Sequence, residues 1–256
     1  MDVTTSRADR VLPALHEVAS AIRAELDGLT DWGLAGTIEG QYRHDLVADR
    51  VGVEMLVGDG FGVLSEESGL HHPDREVVVA LDPVDGSTNA SRGLPWYATS
   101  LCALDSSGPL AAVVANQASG TRFEATRGGG ARRDGEPIRP AAVDDLAEAI
   151  VGTSGCPPTP IGSAQLRCLG AAALDLCAVA SGSLDGFADF GGRSLAPWDY
   201  LGGILVCQEA GATVSEVFGR DPVTVEHGAR RTLVAAGTAE LCDQLRAERR
   251  RHGPAS

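Results

Sequence analysis

The chain has 256 residues, 43% of them hydrophobic, and a mean hydropathy near zero, which describes an ordinary soluble globular protein with one large domain or two small ones sharing a cleft. Its formal charge of −14 argues against a nucleic-acid or anionic-membrane partner, so an anionic substrate would need local positive charge such as bound cations provide. All 21 basic residues are Arg, which excludes lysine-based chemistry.

In chain order, apolar residues at three- and four-residue spacing predict helices over 8–29 and 45–58, joined by the aperiodic loop DWGLAGTIEGQYRH. The N-terminal stretch lacks the basic start and apolar middle of a signal peptide, and no run of about 18 apolar residues occurs, so a cytoplasmic location and no membrane span are expected. GFGVLSEESG reads as a short strand ending in acids, and EVVVALD as a buried strand. YATSLCAL, LAAVVAN and TRFEATR follow as an antiparallel run closed by the turn RGGGARRDGEPI. AEAIVGTS is a strand candidate and GCPPTPIG a connection. AQLRCLGAAALDLCAVASG then reads as a helix, SLDGFADF as a strand, APWDYLGGILVCQEAG as a helix and TLVAAG as a strand. TAELCDQLRAERRRHG closes the chain as a capped helix whose basic end suits its dipole. A strand-rich middle followed by alternating strands and helices predicts an α+β subdomain over 1–140 and an α/β subdomain over 141–256. The six cysteines form no metal-like spacing, and most lie in apolar stretches as small core residues.

Four acidic features end apolar segments: Asp49, Glu66-Glu67, Asp82/Asp85 and Asp199. Singly, each reads as a helix cap, a turn acid or a surface residue. Together they suit hard divalent cations, which take carboxylates, carbonyls and water. In LDPVDGSTN, Pro83 has no N–H and keeps the residues before it extended, so a bend can offer Asp82, Asp85 and the Val84 carbonyl on one side. Gly86-Ser87-Thr88-Asn89 then supplies a turn and a helix start whose amides suit a phosphate oxyanion. Carboxylates for cations beside amides for an anion are the parts of metal-assisted phosphoryl transfer.

LDPVDGSTNASRGLPWYATSL resembles the first signature of the inositol monophosphatase family, and SEES the family's upstream acidic pair. RGGGARRDGEPI, RCLGAAALDLCAVASG and APWDYLGGILVCQEAGATV are similar to three further family segments, all in family order between about residues 45 and 215. The resemblance implies a layered αβαβα sandwich of the inositol monophosphatase / fructose-1,6-bisphosphatase type. It further implies hydrolysis of a small phosphate monoester with two or three Mg²⁺ ions, Mn²⁺ as a substitute and Li⁺ as an inhibitor. Carried over by motif, Glu66, Asp82 and the Val84 carbonyl bind one metal, and Asp82, Asp85 and Asp199 a second. Gly86 and Ser87 amides hold the phosphate, Ser87 and Asp49 orient the attacking water, and Asp189 and Arg193 contact the substrate. Arg43 stands in for a lysine the family carries nearby, and a homodimer is expected. Inositol monophosphate is the first substrate expected. Histidinol phosphate, fructose 1,6-bisphosphate and 3′-phosphoadenosine 5′-phosphate are alternatives, and a non-catalytic metal- or phosphate-binding homologue is the reading from another class. The segment HDLVADRVGVEML departs from the family pattern: aligned on the following helix, whose spacing matches, it places Asp49 at the family's last Asp and lacks its Thr, whereas aligned on DLV it places Val51 there and lacks the acid; Ala171 stands where Ser or Thr is common.

Overall fold

The computed structural model describes residues 7–36 and 40–253; Thr37–Glu39 of the expected loop, and the N-terminal stretch before Arg7, lie outside them. Two amphipathic helices, α1 (Arg7–Asp27) and α2 (Arg43–Gly58), pack on one face of an eight-stranded sheet. In chain order the sheet holds β1 (Gly62–Ser65), β2 (Gly69–His71), β3 (Val78–Asp85), β4 (Ala98–Asp105), β5 (Gly108–Asn116), β6 (Arg122–Thr126), β7 (Gly130–Arg133) and β8 (Glu136–Pro137), with the short helix α3 (Ser87–Ser91) after β3. Their spatial order is β2-β1-β3-β4-β5-β6-β7-β8, antiparallel except for the parallel pair β1 and β3.

The second half contributes β9 (Ile150–Ser154), β10 (Gln165–Arg167), α4 (Ala172–Ala180), β11 (Gly186–Asp189), α5 (Pro197–Ala210), β12 (Thr213–Glu216), β13 (Leu233–Ala236) and α6 (Ala239–Arg251). Its five strands run in the order β10-β9-β11-β13-β12. Helices α4 and α5 lie between the two sheets, and α6 covers the far face of the second. The layers are therefore helix, sheet, helix, sheet, helix, as expected.

Strand periodicity explains how one sheet serves two helical layers. Val79, Leu81, Leu101, Ala103 and Val113 point to a core with Leu15, Val18 and Ile22 of α1. Their neighbours Ala80, Cys102, Ala112 and Val114 point the other way, to Leu176, Tyr200, Leu201 and Ile204 of α4 and α5. α4 and α5 are apolar nearly all round because both of their faces meet a sheet.

Three local expectations are corrected. The segment 164–182 is not one helix: Gln165–Arg167 forms edge strand β10 beside β9, and α4 begins at Ala172. Between them Gly170 takes φ +89°, where the chain turns against the Asn89 side chain and a helix cannot continue. Strands β2 and β12 carry no alternating pattern long enough to announce them. The turn at 127–138 contains the paired strands β7 and β8. The terminal helix is capped as expected, Thr238 Oγ1 accepting from the Leu241 amide at 3.2 Å.

Candidate active site

At the end of β3 the ladder to β4 is irregular: Asp82 pairs with Ser100, but Asp85 pairs with Ala98. Pro83 and Val84 on one strand thus oppose Thr99 alone on the other, as in a β-bulge. Regular alternation would send Asp82 and Asp85 to opposite faces; the extra residue brings both to the α4/α5 side. Pro83 lies within the bulge, where no ladder N–H is needed, and its carbonyl accepts from Thr99 Oγ1 at 2.8 Å. Asp82 Oδ1 accepts from the Val84 amide at 3.0 Å. Gly86 follows at φ +91°; a Cβ there would come within 3.0 Å of the Trp96 carbonyl oxygen and 3.2 Å of that of Gly170, so only glycine fits this turn.

Two helix N-termini hold the remaining acids. Asp85 Oδ2 accepts from the Ala173 amide at the start of α4, at 2.7 Å. Asp199 Oδ2 accepts from the Ala196 amide at the start of α5, at 2.8 Å. Glu66 follows β1, beside the β3 end, its amide donating to the Leu81 carbonyl at 3.2 Å. A cavity of about 730 Å³ opens onto Glu66, Asp82, Val84, Asp85, Ser87 and Asp199, a size suited to a small-molecule ligand. Gly86 and Arg193 also line it, and Arg193 is its only guanidinium among the described residues.

The electrostatics are those of crowded acids. Burial, then the charge of neighbouring carboxylates, pushes Glu66 and Asp82 well above the usual carboxylate range; burial and then Asp199 do the same to Asp85. Burial lifts Asp199 to about 6 against the opposing pull of the Ala196 amide and Arg230. Such a set lacks its counter-charge, and its donors are all hard oxygens, so the residues fit divalent metal ions. Among the described residues no three His, Cys, Asp or Glu side chains are already gathered to hold an ion. Mg²⁺ does not require that, because it is held by one or two carboxylates with water and substrate phosphate completing its shell.

Three of the expected residues lie elsewhere. Asp49 is buried in α2 and hydrogen-bonds to Ser65 Oγ, away from the cavity. One helical turn earlier, Asp45 lines the cavity instead, its Oδ1 2.7 Å from Ser87 Oγ, which also lies 2.8 Å from the Val84 carbonyl oxygen. Residues four apart share a helix face, so α2 presents either acid in the same direction at a different height. Asp189 is fully buried: its Oδ1 accepts from the Gly191 amide at 2.8 Å, and its carbonyl from Arg249 Nε. It braces the turn before Arg193 and does not line the cavity. Arg43 pairs with Asp31 at 3.1 Å and is likewise outside the cavity lining.

Sequence reasoning gave no separate role to Glu67 and missed Asp45, Asp175 and His227, all of which line the cavity. Glu67 accepts from Gln41 Nε2. Asp175 is buried on α4, accepts from Trp96 Nε1 at 2.9 Å and is raised by burial to about 7. His227 arrives on the long connection between β12 and β13, its ring 4.9 Å from that of Trp198. Asp45 carried a signal, the HDLV run itself, but the spacing to the following helix favoured Asp49.

The profile of the inositol monophosphatase family matches residues 57–253. The proteins named Nus factor SuhB of Salmonella typhimurium and Escherichia coli are 37% identical over 173 residues, which is 61% of this chain and 63% of theirs. A protein of Archaeoglobus fulgidus named fructose-1,6-bisphosphatase/inositol-1-monophosphatase is 36% identical over 180 residues, 68% of this chain and 69% of its own. The inositol monophosphatase structure from Anabaena (Nostoc) superposes with a TM-score of 0.79 at 25% identity, covering 95% of this chain and 96% of that one.

Proposed function

Because the chain belongs to the inositol monophosphatase family, we propose that it is a Mg²⁺-dependent phosphatase of a small polyol-type phosphate monoester, with inositol monophosphate the leading substrate. The observation that supports this most is the convergence of Glu66, Asp82, Asp85 and Asp199, from three separate segments, on one cavity that also receives Ser87. Glu66, Asp82, Asp85, Asp199 and the Val84 carbonyl would hold the ions. Bound there, divalent cations would supply positive charge against the phosphoryl and leaving-group oxygens and acidify the attacking water.

The chain's own groups perform the rest. Asp45 Oδ1 accepts the Ser87 hydroxyl proton, which leaves the Ser87 oxygen free to accept from a water and aim it at phosphorus. The turn at Gly86 and Ser87 directs backbone amides at the phosphate. Arg193 faces the leaving group across the cavity, where it can read a further oxygen-rich or anionic substituent. The Asp85 and Asp199 carboxylates are fixed by helix-terminal amides, so they need little reorganisation when substrate binds.

The reading includes two subdomains meeting near residue 140, supported by the change of sheet between Pro137 and Ile150. It also includes a cytoplasmic homodimer; among the described residues no helix is long and apolar enough to cross a membrane. The relatives named Nus factor supply a second reading, a non-catalytic binding role, in which nucleic-acid-associated partners replace a substrate. The complete set of acids at the cavity favours hydrolysis.

A panel of phosphate monoesters with Mg²⁺ or Mn²⁺ tests the proposal. Wild type should release phosphate, with a rank order that identifies the leaving group, and Asp85→Asn should abolish release while keeping the native circular dichroism. No hydrolysis of any ester by folded wild type would leave the binding reading in its place.

A further inference from the structure

Of the six cysteines, Cys102, Cys177, Cys207 and Cys242 are buried, while Cys156 and Cys168 are exposed. The exposed two are neighbours. Arg167 pairs with Gly152 across the parallel strands β10 and β9, which carries Cys168 alongside the end of β9. Its Sγ lies 4.0 Å from the carbonyl oxygen of Gly155, the residue before Cys156, so the two cysteines stand on adjoining turns. Neither belongs to a core cluster, so neither thiol is needed for packing. Pro157 restricts the backbone at Cys156, and β10 is an exposed edge strand paired on one side only, so one partner is held while the other has room to adjust.

We propose that Cys156 and Cys168 are a covalent modification site, forming an intrachain disulfide at the rim of the cavity when the protein meets a peroxide. Hydrogen peroxide balances the step. One thiolate attacks a peroxide oxygen, breaking the O–O bond to give a sulfenic acid and, after protonation, one water. The second thiol then attacks that sulfur, forming the S–S bond and releasing a second water. Two thiols lose two electrons and the peroxide gains them. Burial and then the neighbouring sulfur raise the Cys168 thiol, which lowers its thiolate fraction and slows its own attack on peroxide. Ser154 and Gly155 line the cavity on one side of the pair, and Gly170 and Ala171 on the other. The Leu169 carbonyl also anchors Asn89 of the α3 turn at 2.7 Å. The bond therefore ties together two turns that shape the cavity wall.

Peptide mapping of the intact protein tests this without reference to activity. After brief treatment with hydrogen peroxide, quenching and alkylation, a non-reducing tryptic digest should contain the peptide 134–167 joined to the peptide 168–193, with fragmentation placing the bond at Cys168 and not Cys177. Dithiothreitol should reverse it, and Cys156→Ser and Cys168→Ser should each lose it while keeping native circular dichroism. Recovery of both residues as alkylated thiols, their separate oxidation to sulfinic acids, or a bond joining two chains would each overturn the proposal.

Discussion

Asp45 and Asp49 sit one turn apart on α2 and do different work. Asp45 meets Ser87 in the cavity, whereas Asp49 satisfies Ser65 in the interior. Asp45→Asn should therefore lower kcat for a generic phosphomonoester by about 10²- to 10⁴-fold, the usual contribution of a positioned acid or base, with little change in stability. Asp49→Asn weakens a buried hydrogen bond and should cost about 1–3 kcal/mol in denaturant unfolding with a much smaller loss of kcat. Equal rate losses in the two variants, measured on folded protein, would contradict this assignment. The acid at Ser87 was not legible from spacing, because positions four apart on a helix satisfy the same periodicity. What separates them is the height at which α2 crosses the end of β3.

At the scale of elements, the close passage of α4 and α5 sets the middle layer. A Cβ at Gly203 would lie 2.6 Å from Leu176 Cβ and 2.8 Å from Leu176 Cδ1. Gly203→Ala gains about 1 kcal/mol of helix propensity, but overpacking against a rigid side-chain base costs about 1–3 kcal/mol. The clash involves Cβ, which cannot rotate away, so a net loss of up to about 2 kcal/mol is expected in thermal or denaturant unfolding. Gly58→Ala, in a position with open space, should instead gain up to about 1 kcal/mol. Most elements were visible in the pattern: α1, α2 and α6 have helical periods, and β3 to β5 and α5 are apolar runs bounded by turn residues. The 164–182 segment misled because its apolar residues continue past a Gly whose left-handed turn is imposed by Asn89, which lies about 80 positions earlier. The short strands β2 and β12 are defined by their partners more than by their own residues.

The molecule as a whole carries net charge −14 and gathers several of its acids at one buried place. Folding against that repulsion makes cation binding stabilising, since ions that bind the native state alone shift unfolding by mass action. At Mg²⁺ concentrations about 100-fold over the dissociation constant, stability should rise by about 2.7 kcal/mol. For a chain of this size that is roughly 5–10 °C in melting temperature. Asp85→Asn should lose most of this shift, and an equal shift in wild type and variant would locate Mg²⁺ elsewhere. The order of the signature segments was enough to specify the layered architecture and the acids of LDPVDGSTN and APWD, because those residues are tied to local backbone: a Pro-containing bend, a glycine turn and a helix N-terminus. The tertiary structure alone decided which acid reaches Ser87, that Asp189 supports from the interior, that Asp175 and His227 join the cavity and that Cys156 meets Cys168. Those are contacts between segments distant in the chain. They depend on helix height and strand register, and neither a residue's type nor its spacing records them.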